Sequence, residues 1–252
     1  MQNDLLKNKV AIITGASRGI GESIAISFAK AKANLVLVSL QDQNKLFSVK
    51  NRIEKMGSKV LVFNGDVSSS NFCTTIVNDT IKSFNQIDIL VNCAGIIDRS
   101  SFDTMEHKDW SRVLDVNLNG SLYMSKEVIK LMKNRNYGKI INITSQMAFI
   151  PHPSASPSYE VSKSGLTALT RHLALNYAKN NICVNAIAPG SIDTDMPKSM
   201  SSKARDEIKK GIPMKRLGEP EEISNCALFL ASELSSYITG STIHINGGSL
   251  MR

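Results

Sequence analysis

The sequence predicts an α/β fold in which a doubly wound, parallel sheet of seven strands carries helices on both faces. Short apolar runs alternate with longer amphipathic stretches from one end of the chain to the other. The apolar runs are continuous, which is typical of strands that are buried on both faces. A glycine-rich turn also joins the first run directly to a helical stretch. Strands that alternate with helices favour right-handed crossovers and therefore a parallel sheet.

The predicted elements follow one another without interruption. Strands are predicted at residues 10–13, 35–38, 60–63, 87–91, 139–143, 182–187 and 241–245. Helices are predicted at residues 19–31, 45–56, 70–84, 109–132, 158–179 and 220–231. Since the sequence contains no repeat, linker or low-complexity segment, we expect one dinucleotide-binding and catalytic domain over residues 1–252. The polar segment at about 192–213 is a candidate lid over the substrate.

Composition excludes several classes of protein. The 252 residues are 42% hydrophobic and 21% charged, the balance of an ordinary globular protein. No run approaches the roughly 20 apolar residues of a membrane span, and the first residues lack the apolar core of a secretion signal. We therefore expect a cytoplasmic protein without a membrane partner.

Cysteine spacing and charge point to neither a metal nor a nucleic acid. The four cysteines are scattered, so the sequence predicts reduced thiols and no metal site. The net charge of +8 could attract an anionic cofactor. Because no block of like charges occurs, we interpret it as a solvated basic surface rather than a nucleic-acid site.

A glycine turn of the form T-G-x-x-x-G-x-G occupies residues 14–21. Glycine permits the tight turn and lets the backbone approach a pyrophosphate, which the N-terminus of the following helix attracts. The spacing differs from G-x-G-x-x-G and from an ATP-binding phosphate loop. The turn predicts a dinucleotide site in a Rossmann-like fold, with contacts from Gly15, Ser17, Arg18, Gly19, Ile20 and Gly21.

A tyrosine and a lysine lie four residues apart on one predicted helix. Tyr159 and Lys163 therefore share a helix face. An ammonium beside a phenol favours the phenolate, so we expect the pKa of Tyr159 to be lowered from about 10. Such a tyrosine can donate its proton to a carbonyl oxygen as a hydride arrives. Ser145, at the end of the fifth strand, can hydrogen-bond the same oxygen.

In combination, these motifs resemble the short-chain dehydrogenase/reductase family. The glycine turn is followed, in family order, by N-C-A-G at 92–95, a serine motif at 142–145, Y-x-x-x-K at 159–163 and P-G-x-x-x-T at 189–194. The resemblance covers nearly the whole chain. It implies an oxidoreductase that moves a hydride between a nicotinamide and a carbonyl or alcohol carbon, with Tyr159 as the acid/base.

The resemblance also assigns roles to further residues. Asn117 would complete a catalytic tetrad with Ser145, Tyr159 and Lys163, its backbone holding a water next to the lysine; the residues alone equally suggest a helix kink at Asn117. Cys93 replaces an asparagine of the family motif and should matter little if its side chain points into the core. The cofactor contacts implied beyond the glycine turn are Ser39, Asp66, Val67, Asn92, Ala94, Gly95, Tyr159, Lys163, Pro189, Gly190, Ile192 and Thr194.

The cofactor is expected to be NADP(H) rather than NAD(H). A carboxylate at the end of the second strand would bind the ribose 2′-hydroxyl and repel a 2′-phosphate. Ser39 stands where NAD-specific relatives carry aspartate, and Arg18 stands where NADPH-dependent relatives often carry a base. A guanidinium there can pair with the phosphate. The alternative is an exposed Arg18 and NAD(H), with Asp42 near the ribose.

Two substrate classes remain open. Residues 212–248 are similar both to 3-oxoacyl-[acyl-carrier-protein] reductases and to sugar or sugar-acid dehydrogenases. Lys130, Lys133 and Arg135 could dock an acidic carrier, but Leu175 stands where carrier-docking relatives often have arginine. Residues 146–158 should line the substrate pocket, where His152 either contacts a polar substrate or is an exposed loop histidine. Asp98-Arg99 is similar to the sugar-acid relatives.

We expect first a reductase of 3-oxoacyl thioesters, on a carrier protein or on coenzyme A. The alternative is a sugar, polyol or sugar-acid dehydrogenase. A non-catalytic dinucleotide-binding regulator is a distant third, because the tetrad is intact. The resemblance also implies a homotetramer, assembled through the helix that bears Tyr159 and through the last helix and strand.

Overall fold

Seven strands build the sheet: β1 (Val10–Thr14), β2 (Asn34–Ser39), β3 (Val60–Asn64), β4 (Ile89–Asn92), β5 (Gly138–Ile143), β6 (Ile182–Pro189) and β7 (Thr242–Ile245). Their order is β3-β2-β1-β4-β5-β6-β7, and every neighbouring pair is parallel. The computed structural model describes residues 4–152, 155–194 and 202–251. The predicted seven-stranded, doubly wound parallel sheet is confirmed.

Helices cover both faces of the sheet. They are α1 (Gly19–Lys30), α2 (Gln43–Glu54), α3 (Ser70–Phe84), α4 (His107–Leu114), α5 (Gly120–Arg135), α6 (Pro157–Tyr177), α7 (Ser202–Gly211) and α8 (Pro220–Ala231). Single turns at Gln146–Ala148, Ala178–Asn180 and Glu233–Ser235 are 3₁₀-helical.

Each face of the sheet has its own hydrophobic core. Side chains that alternate along a strand point to opposite faces, so Ile13 packs with α1, α2 and α8, whereas Ile12 packs with α3, α5 and α6. Phe28 of α1 and Met124 of α5 are fully buried, one in each core. This two-sided burial explains the continuous apolar runs of the strands.

The strand order reverses between β1 and β4. The Thr14 hydroxyl lies there and accepts hydrogen bonds of 3.0 Å from the backbone N–H groups of both Cys93 and Ala94. The loops after β1 and β4 are thereby held side by side at the carboxyl end of the sheet. In doubly wound sheets ligands bind at such a switch point.

Two helical segments differ from the sequence-based expectation. The tract predicted at 109–132 contains a π-helical turn at Asp115–Asn119 between α4 and α5. The segment predicted as a polar lid contains the helix α7, which its lysines, serines and acidic residues did not reveal. Residues 195–201 of that segment, and residues 153–154 of the loop before α6, lie outside the described residues.

Neither a membrane span nor a metal cluster is found in the part of the chain that the structure describes. No helix there is long and apolar enough to cross a bilayer. No three side chains of the metal-binding types lie together in the same described ranges.

Candidate active site

A cavity of about 1170 Å³ opens at the carboxyl ends of the strands. Its wall includes every predicted site residue except Asn92 and Asn117. The phosphate-binding turn and the reactive side chains therefore face one space, and the cavity is large enough for a dinucleotide together with a substrate.

The glycine turn forms a cradle that a Cβ atom would fill. Gly15 and Gly19 have φ angles of +69° and +58°, which favour glycine. A Cβ at Gly15 would lie 2.9 Å from the Cα of Ala94, and one at Gly21 only 2.2 Å from the Gly15 carbonyl oxygen. The turn thus packs on the β4 loop, and α1 begins in it with its N-terminal N–H groups at the cavity wall. A pyrophosphate fits this cradle.

The end of β2 carries hydroxyls instead of a carboxylate. Ser39 is buried and donates a 2.9 Å hydrogen bond to the Ser17 hydroxyl of the glycine turn. Arg18 is exposed at the rim of the same cavity. Asp42 does not line the cavity and pairs with Lys45 at 3.1 Å. The negative charge that would disfavour a 2′-phosphate is therefore not at this position.

Asp66 after β3 is held in a charged cluster. It accepts a hydrogen bond of 2.9 Å from the backbone N–H of Ser68 and pairs with Arg112 of α4 at 2.7 Å. Burial alone would raise the pKa of Asp66, but these hydrogen bonds and the guanidinium outweigh burial and lower it. Asp66 also lines the cavity, as does Val67.

The N-C-A-G motif at residues 92–95 lies partly in the cavity wall and partly in the layer beneath the cavity. Ala94 and Gly95 line the cavity. Asn92 lies below it, where its amide donates to Asn142 at 2.8 Å and to Ser125 at 3.2 Å. Cys93 packs on the core and also lines the cavity, so the condition under which its replacement of an asparagine should matter little is met only in part. Burial raises the pKa of this thiol to about 12 although Lys163 opposes the shift.

Ser145, Tyr159 and Lys163 converge on one wall. Ser145 follows β5, and its hydroxyl lies close enough to the phenol of Tyr159, near the start of α6, to act on the pKa of that phenol. One turn further along α6, the buried Lys163 amine donates a 2.9 Å hydrogen bond to the backbone carbonyl of Ile143. The arrangement places a proton donor and a second hydroxyl where they can hold one oxygen atom.

The pKa shifts of this wall differ from the sequence-based expectation. Burial raises the pKa of Tyr159, although its hydrogen bond with Ser145 and the charge of Arg99 act in the opposite direction. The Lys163 amine lies 5.8 Å from the centre of the Tyr159 ring, and burial lowers its own pKa to about 8. Lys163 therefore lowers the pKa of Tyr159 less than the helix spacing alone suggests, because burial also disfavours the charged form of the lysine.

Asn117 sits behind this wall in the π-helical turn. Its side-chain amide donates to the Ile96 carbonyl at 2.9 Å and to the Ser162 hydroxyl at 3.0 Å, and its oxygen accepts from the Ile96 N–H at 2.8 Å. A Cβ at Gly95 would lie 3.3 Å from both the Asn117 oxygen and the Lys163 amine. The π-helical turn thus brings the Asn117 side chain close to the Lys163 amine. Single π-helical turns are frequent at functional sites.

The segment after β6 closes the cavity near the glycine turn. Pro189, Gly190, Ile192 and Thr194 all line it. A Cβ at Gly19 would lie 3.3 Å from the Thr194 methyl group. Thr194 therefore lies beside the start of α1, and these residues bridge the phosphate-binding turn and the reactive wall.

Arg112 is a cavity residue that was not predicted from the sequence. It comes from α4, and no local motif marks it. Gln146 lies in the stretch 146–158 that the sequence predicts to line the substrate pocket; it is 8% exposed, and its Oε1 has no hydrogen-bond partner among the described residues. Apolar side chains add Met147, Ile150, Ile208, Ile212 and Leu217.

A family model and several characterised proteins match this chain over nearly its whole length. The family model described as "Enoyl-(Acyl carrier protein) reductase" matches residues 15–249. The 3-oxoacyl-[acyl-carrier-protein] reductase FabG of Chlamydia muridarum is 40% identical over 247 residues, covering 98% of this chain and 99% of the relative. Glucose 1-dehydrogenase 2 of Bacillus subtilis is 37% identical over 249 residues, covering 96% and 95%.

A solved structure is similar throughout. The crystal structure of a short-chain type dehydrogenase/reductase from Mycobacterium marinum has a TM-score of 0.93 and 30% sequence identity. The match covers 100% of this chain and 98% of that one. The sheet and the covering helices are thus shared with a protein of the type that the motifs resemble.

The lowered pKa of Lys163 should make stability depend on pH. The unfolded chain keeps this proton up to about pH 10.5, whereas the folded protein releases it near pH 8. Because the unfolded chain binds more protons at this group between these values, the contribution of Lys163 to the free energy of unfolding should rise with pH. Relative to Lys163→Met, the wild type should gain about 2 kcal/mol between pH 8 and pH 10. Urea unfolding without coenzyme measures this difference.

Lys126→Met provides the matched control, since Lys126 is an exposed lysine on α5. A constant difference between wild type and Lys163→Met across this pH window would contradict the prediction. The window ends at pH 10 because the pKa of Tyr159 is raised. Above pH 10 the unfolded chain loses this proton before the folded protein does, so the contribution of Tyr159 to the free energy of unfolding falls with pH.

Proposed function

We propose that this chain, which belongs to the short-chain dehydrogenase/reductase family, is an NADP(H)-dependent reductase of 3-oxoacyl thioesters. Members of the family are oxidoreductases that act on CH–OH or ketone groups with a nicotinamide dinucleotide. This protein is an oxidoreductase of the same kind. One observation carries the specific proposal: the Ser145–Tyr159 hydroxyl pair shares a single cavity with the glycine cradle and an apolar wall.

The proposed coenzyme site combines the cradle with its neighbours. The nicotinamide, when bound, supplies the hydride in reduction and accepts it in oxidation. Gly15, Gly19 and Gly21 leave room for the pyrophosphate. Asp66 and Val67 would hold the adenine end, and Pro189, Gly190, Ile192 and Thr194 the nicotinamide end; all six line the cavity. Asn92 would act from beneath, by holding the β4 loop to β5.

The proton chemistry is proposed to run through Tyr159. Since burial raises its pKa, the phenol holds its proton at neutral pH and can donate it to the oxygen of a ketone. Ser145 hydrogen-bonds the same oxygen and stabilises the charge that grows there. Lys163 and Asn117 are proposed to complete the tetrad. Because both polar atoms of the Asn117 amide have protein partners, its proposed role falls to the backbone.

The preference for NADP(H) rests on charge at the adenosine end. Arg18 can reach a 2′-phosphate at the cavity rim, and the Ser17 and Ser39 hydroxyls lie next to it. An arginine paired with a phosphate forms strong, charge-assisted hydrogen bonds. At the same position an aspartate would select NAD(H) by repelling the phosphate.

The thioester class is supported by the apolar lining beyond Ser145. Met147, Ile150, Ile208, Ile212 and Leu217 form a wall that suits an acyl chain. Several full-length relatives with 36–40% identity are 3-oxoacyl-[acyl-carrier-protein] reductases. We leave the carrier open, because Lys130 and Arg135 are paired with Glu127 and Asp88.

A sugar or sugar-acid substrate is the second candidate, favoured by the polar side chains of the same cavity. Arg99 lies close enough to Tyr159 for its charge to lower the phenol's pKa. His152 and the buried Gln146 also line the wall. A cation and an amide suit the carboxylate and hydroxyls of a sugar acid.

The lid and the assembly complete the proposal. Glu207, Ile208 and Gly211 of α7 line the cavity, which supports residues 192–213 as a lid on a single domain of residues 1–252. We also propose a cytoplasmic homotetramer. Apolar side chains exposed on α6 and after α8 support the assembly: Val161 and Leu175 on the helix that bears Tyr159, and Leu234 and Tyr237 after α8.

A substrate panel tests the proposed function. With NADPH, the protein should reduce an acetoacetyl thioester of N-acetylcysteamine or coenzyme A, followed by the loss of absorbance of the reduced coenzyme. Simple ketones should be poorer substrates because they leave the apolar wall unfilled. Turnover of keto-sugar acids alone, with no reduction of either thioester, would replace the proposal with the second candidate.

Tyr159→Phe should lose about 10²- to 10⁴-fold in kcat, since it removes the proton donor. The Kd for NADPH should change little, because the glycine cradle and Arg18 are intact. Tyr177→Phe is the matched control, a tyrosine at the other end of α6 that packs on the core. A Tyr159→Phe variant with near-normal kcat would remove Tyr159 from the acid/base role.

Coenzyme preference should reverse with Ser39→Asp combined with Arg18→Ala. The Kd for NADPH should rise about 100-fold through the lost pairing and the added repulsion, while the Kd for NADH stays within a few-fold. Titration of both reduced coenzymes by fluorescence measures the two constants. Equal effects on NADH and NADPH would show that these residues do not read the 2′-phosphate.

A further inference from the structure

A buried amine and a buried thiol face each other far from the active site. Lys139 is the second residue of β5, and Cys183 is the second residue of β6. They are direct partners in the register of the two parallel strands. Lys139 is 2% exposed and Cys183 is 6% exposed. The site lies at the end of the sheet opposite to Ser145, which follows the last residue of β5.

The amine is directed at the sulfur. Lys139 Nζ donates a 3.5 Å hydrogen bond to Cys183 Sγ, which in turn donates to the carbonyl of Ser236 at 3.5 Å. No carboxylate lies within 4.0 Å of this amine among the described residues. Asp88 and Glu233 lie near, but they are engaged by Arg135 and by Lys9 and Tyr137. A lysine buried in a sheet normally has an acidic partner; this one has a thiol.

We propose that Lys139 and Cys183 form a peroxide-dependent covalent cross-link between β5 and β6. Reacting atoms that are held about 3–3.5 Å apart are close to the geometry of nucleophilic attack. Amines and amides condense with sulfenic acids to give sulfenamides, which thiols reverse. The strand register fixes the amine beside the sulfur before any oxidant arrives.

The cross-link forms in two steps. Hydrogen peroxide is the oxidant: Cys183 Sγ attacks one of its oxygens, the O–O bond breaks, and the thiol proton leaves with the second oxygen as water. The sulfur is oxidised by two electrons to the sulfenic acid. The Lys139 amine, once it has released its extra proton to solvent, then attacks Sγ, the N–S bond forms and the S–O bond breaks. The departing hydroxide takes an amine proton as a second water, so the chain loses two hydrogens.

The other three cysteines lack this arrangement. Cys73 donates to the Val67 carbonyl at 3.3 Å. The Lys163 amine is near enough to Cys93 to act on its pKa, but it donates to the Ile143 carbonyl. Among the described residues, no amine is hydrogen-bonded to the sulfur of Cys226. Burial raises the pKa of Cys73 and Cys93 to about 12 and that of Cys226 to about 11. They serve as internal controls for non-selective oxidation.

Peptide mapping of the peroxide-treated, full-length protein tests the proposal. Free thiols are alkylated after unfolding, and the protein is digested and analysed by mass spectrometry. We expect a linked pair of peptides that contains Lys139 and Cys183, lighter by about 2 Da than the sum of the separate peptides. Dithiothreitol should release it. Cys183 recovered as free thiol, sulfinate or sulfonate without the linked pair would overturn the proposal.

Two variants make the test specific. Lys139→Met keeps the length of the side chain and removes the amine, so the linked pair should disappear. Cys226→Ser removes a half-buried cysteine of α8 and should leave its yield unchanged. If Lys139→Met fails to fold, the wild-type map and Cys183→Ala decide the question, since the linked mass must be present in one and absent from the other.

Discussion

The contact of the Thr14 hydroxyl with the backbone of the β4 loop is the constraint on which the site depends. The hydroxyl accepts both the Cys93 and the Ala94 N–H groups and so fixes the distance between two loops that diverge at the reversal of strand order. Gly15 then packs against Ala94 with no room for a side chain. Gly95 in turn lies against Asn117 and Lys163. The glycine cradle and the wall formed by Ser145, Tyr159 and Lys163 are thus joined by a short chain of close contacts.

Much of this organisation could be predicted from the sequence, because the pattern of apolar residues and the spacing of the motif residues indicate it. Buried strands such as Val10–Thr14 read as continuous apolar runs, and helix starts such as Gly19 and Pro220 are marked by glycine or proline. Ser145, Tyr159 and Lys163 follow from their place at strand ends and on one helix face. These signals are local, so a single sequence contains them.

Other features depend on contacts between distant segments. Arg112 reaches the Asp66 carboxylate from a different helix, and no spacing encodes that pair. The π-helical turn at Asn117 arises where its amide binds Ile96 and Ser162, partners on two other segments. The position of Cys93 at the cavity wall, and of Asn92 beneath it, likewise depends on how the β4 loop meets β1. The helix α7 was missed because its ten residues are mostly polar and none of them is buried.

Burial explains why the pKa of Tyr159 is raised, although the spacing of Tyr159 and Lys163 predicted a lowered pKa. The same burial that excludes water from the cavity also penalises the charged forms of both groups: it raises the pKa of the phenol and lowers that of the amine. A neutral phenol suits the reductive direction, where its proton is consumed. An oxidised nicotinamide carries a positive charge, which favours the phenolate that alcohol oxidation requires. The direction of reaction and the protonation of Tyr159 are therefore coupled through the site's charge.

The choice of substrate lies outside the catalytic set. An apolar wall discriminates weakly, because each buried methylene contributes about 0.8 kcal/mol. A polar group that is buried to meet a substrate oxygen discriminates much more strongly, since a substrate without that oxygen leaves it unpaired. Gln146 is already buried next to Ser145, and Arg99 adds a charge near the phenol. We therefore expect acyl-chain length to tune the affinity for a thioester gradually, and these two side chains to select for a second polar group on the ketone.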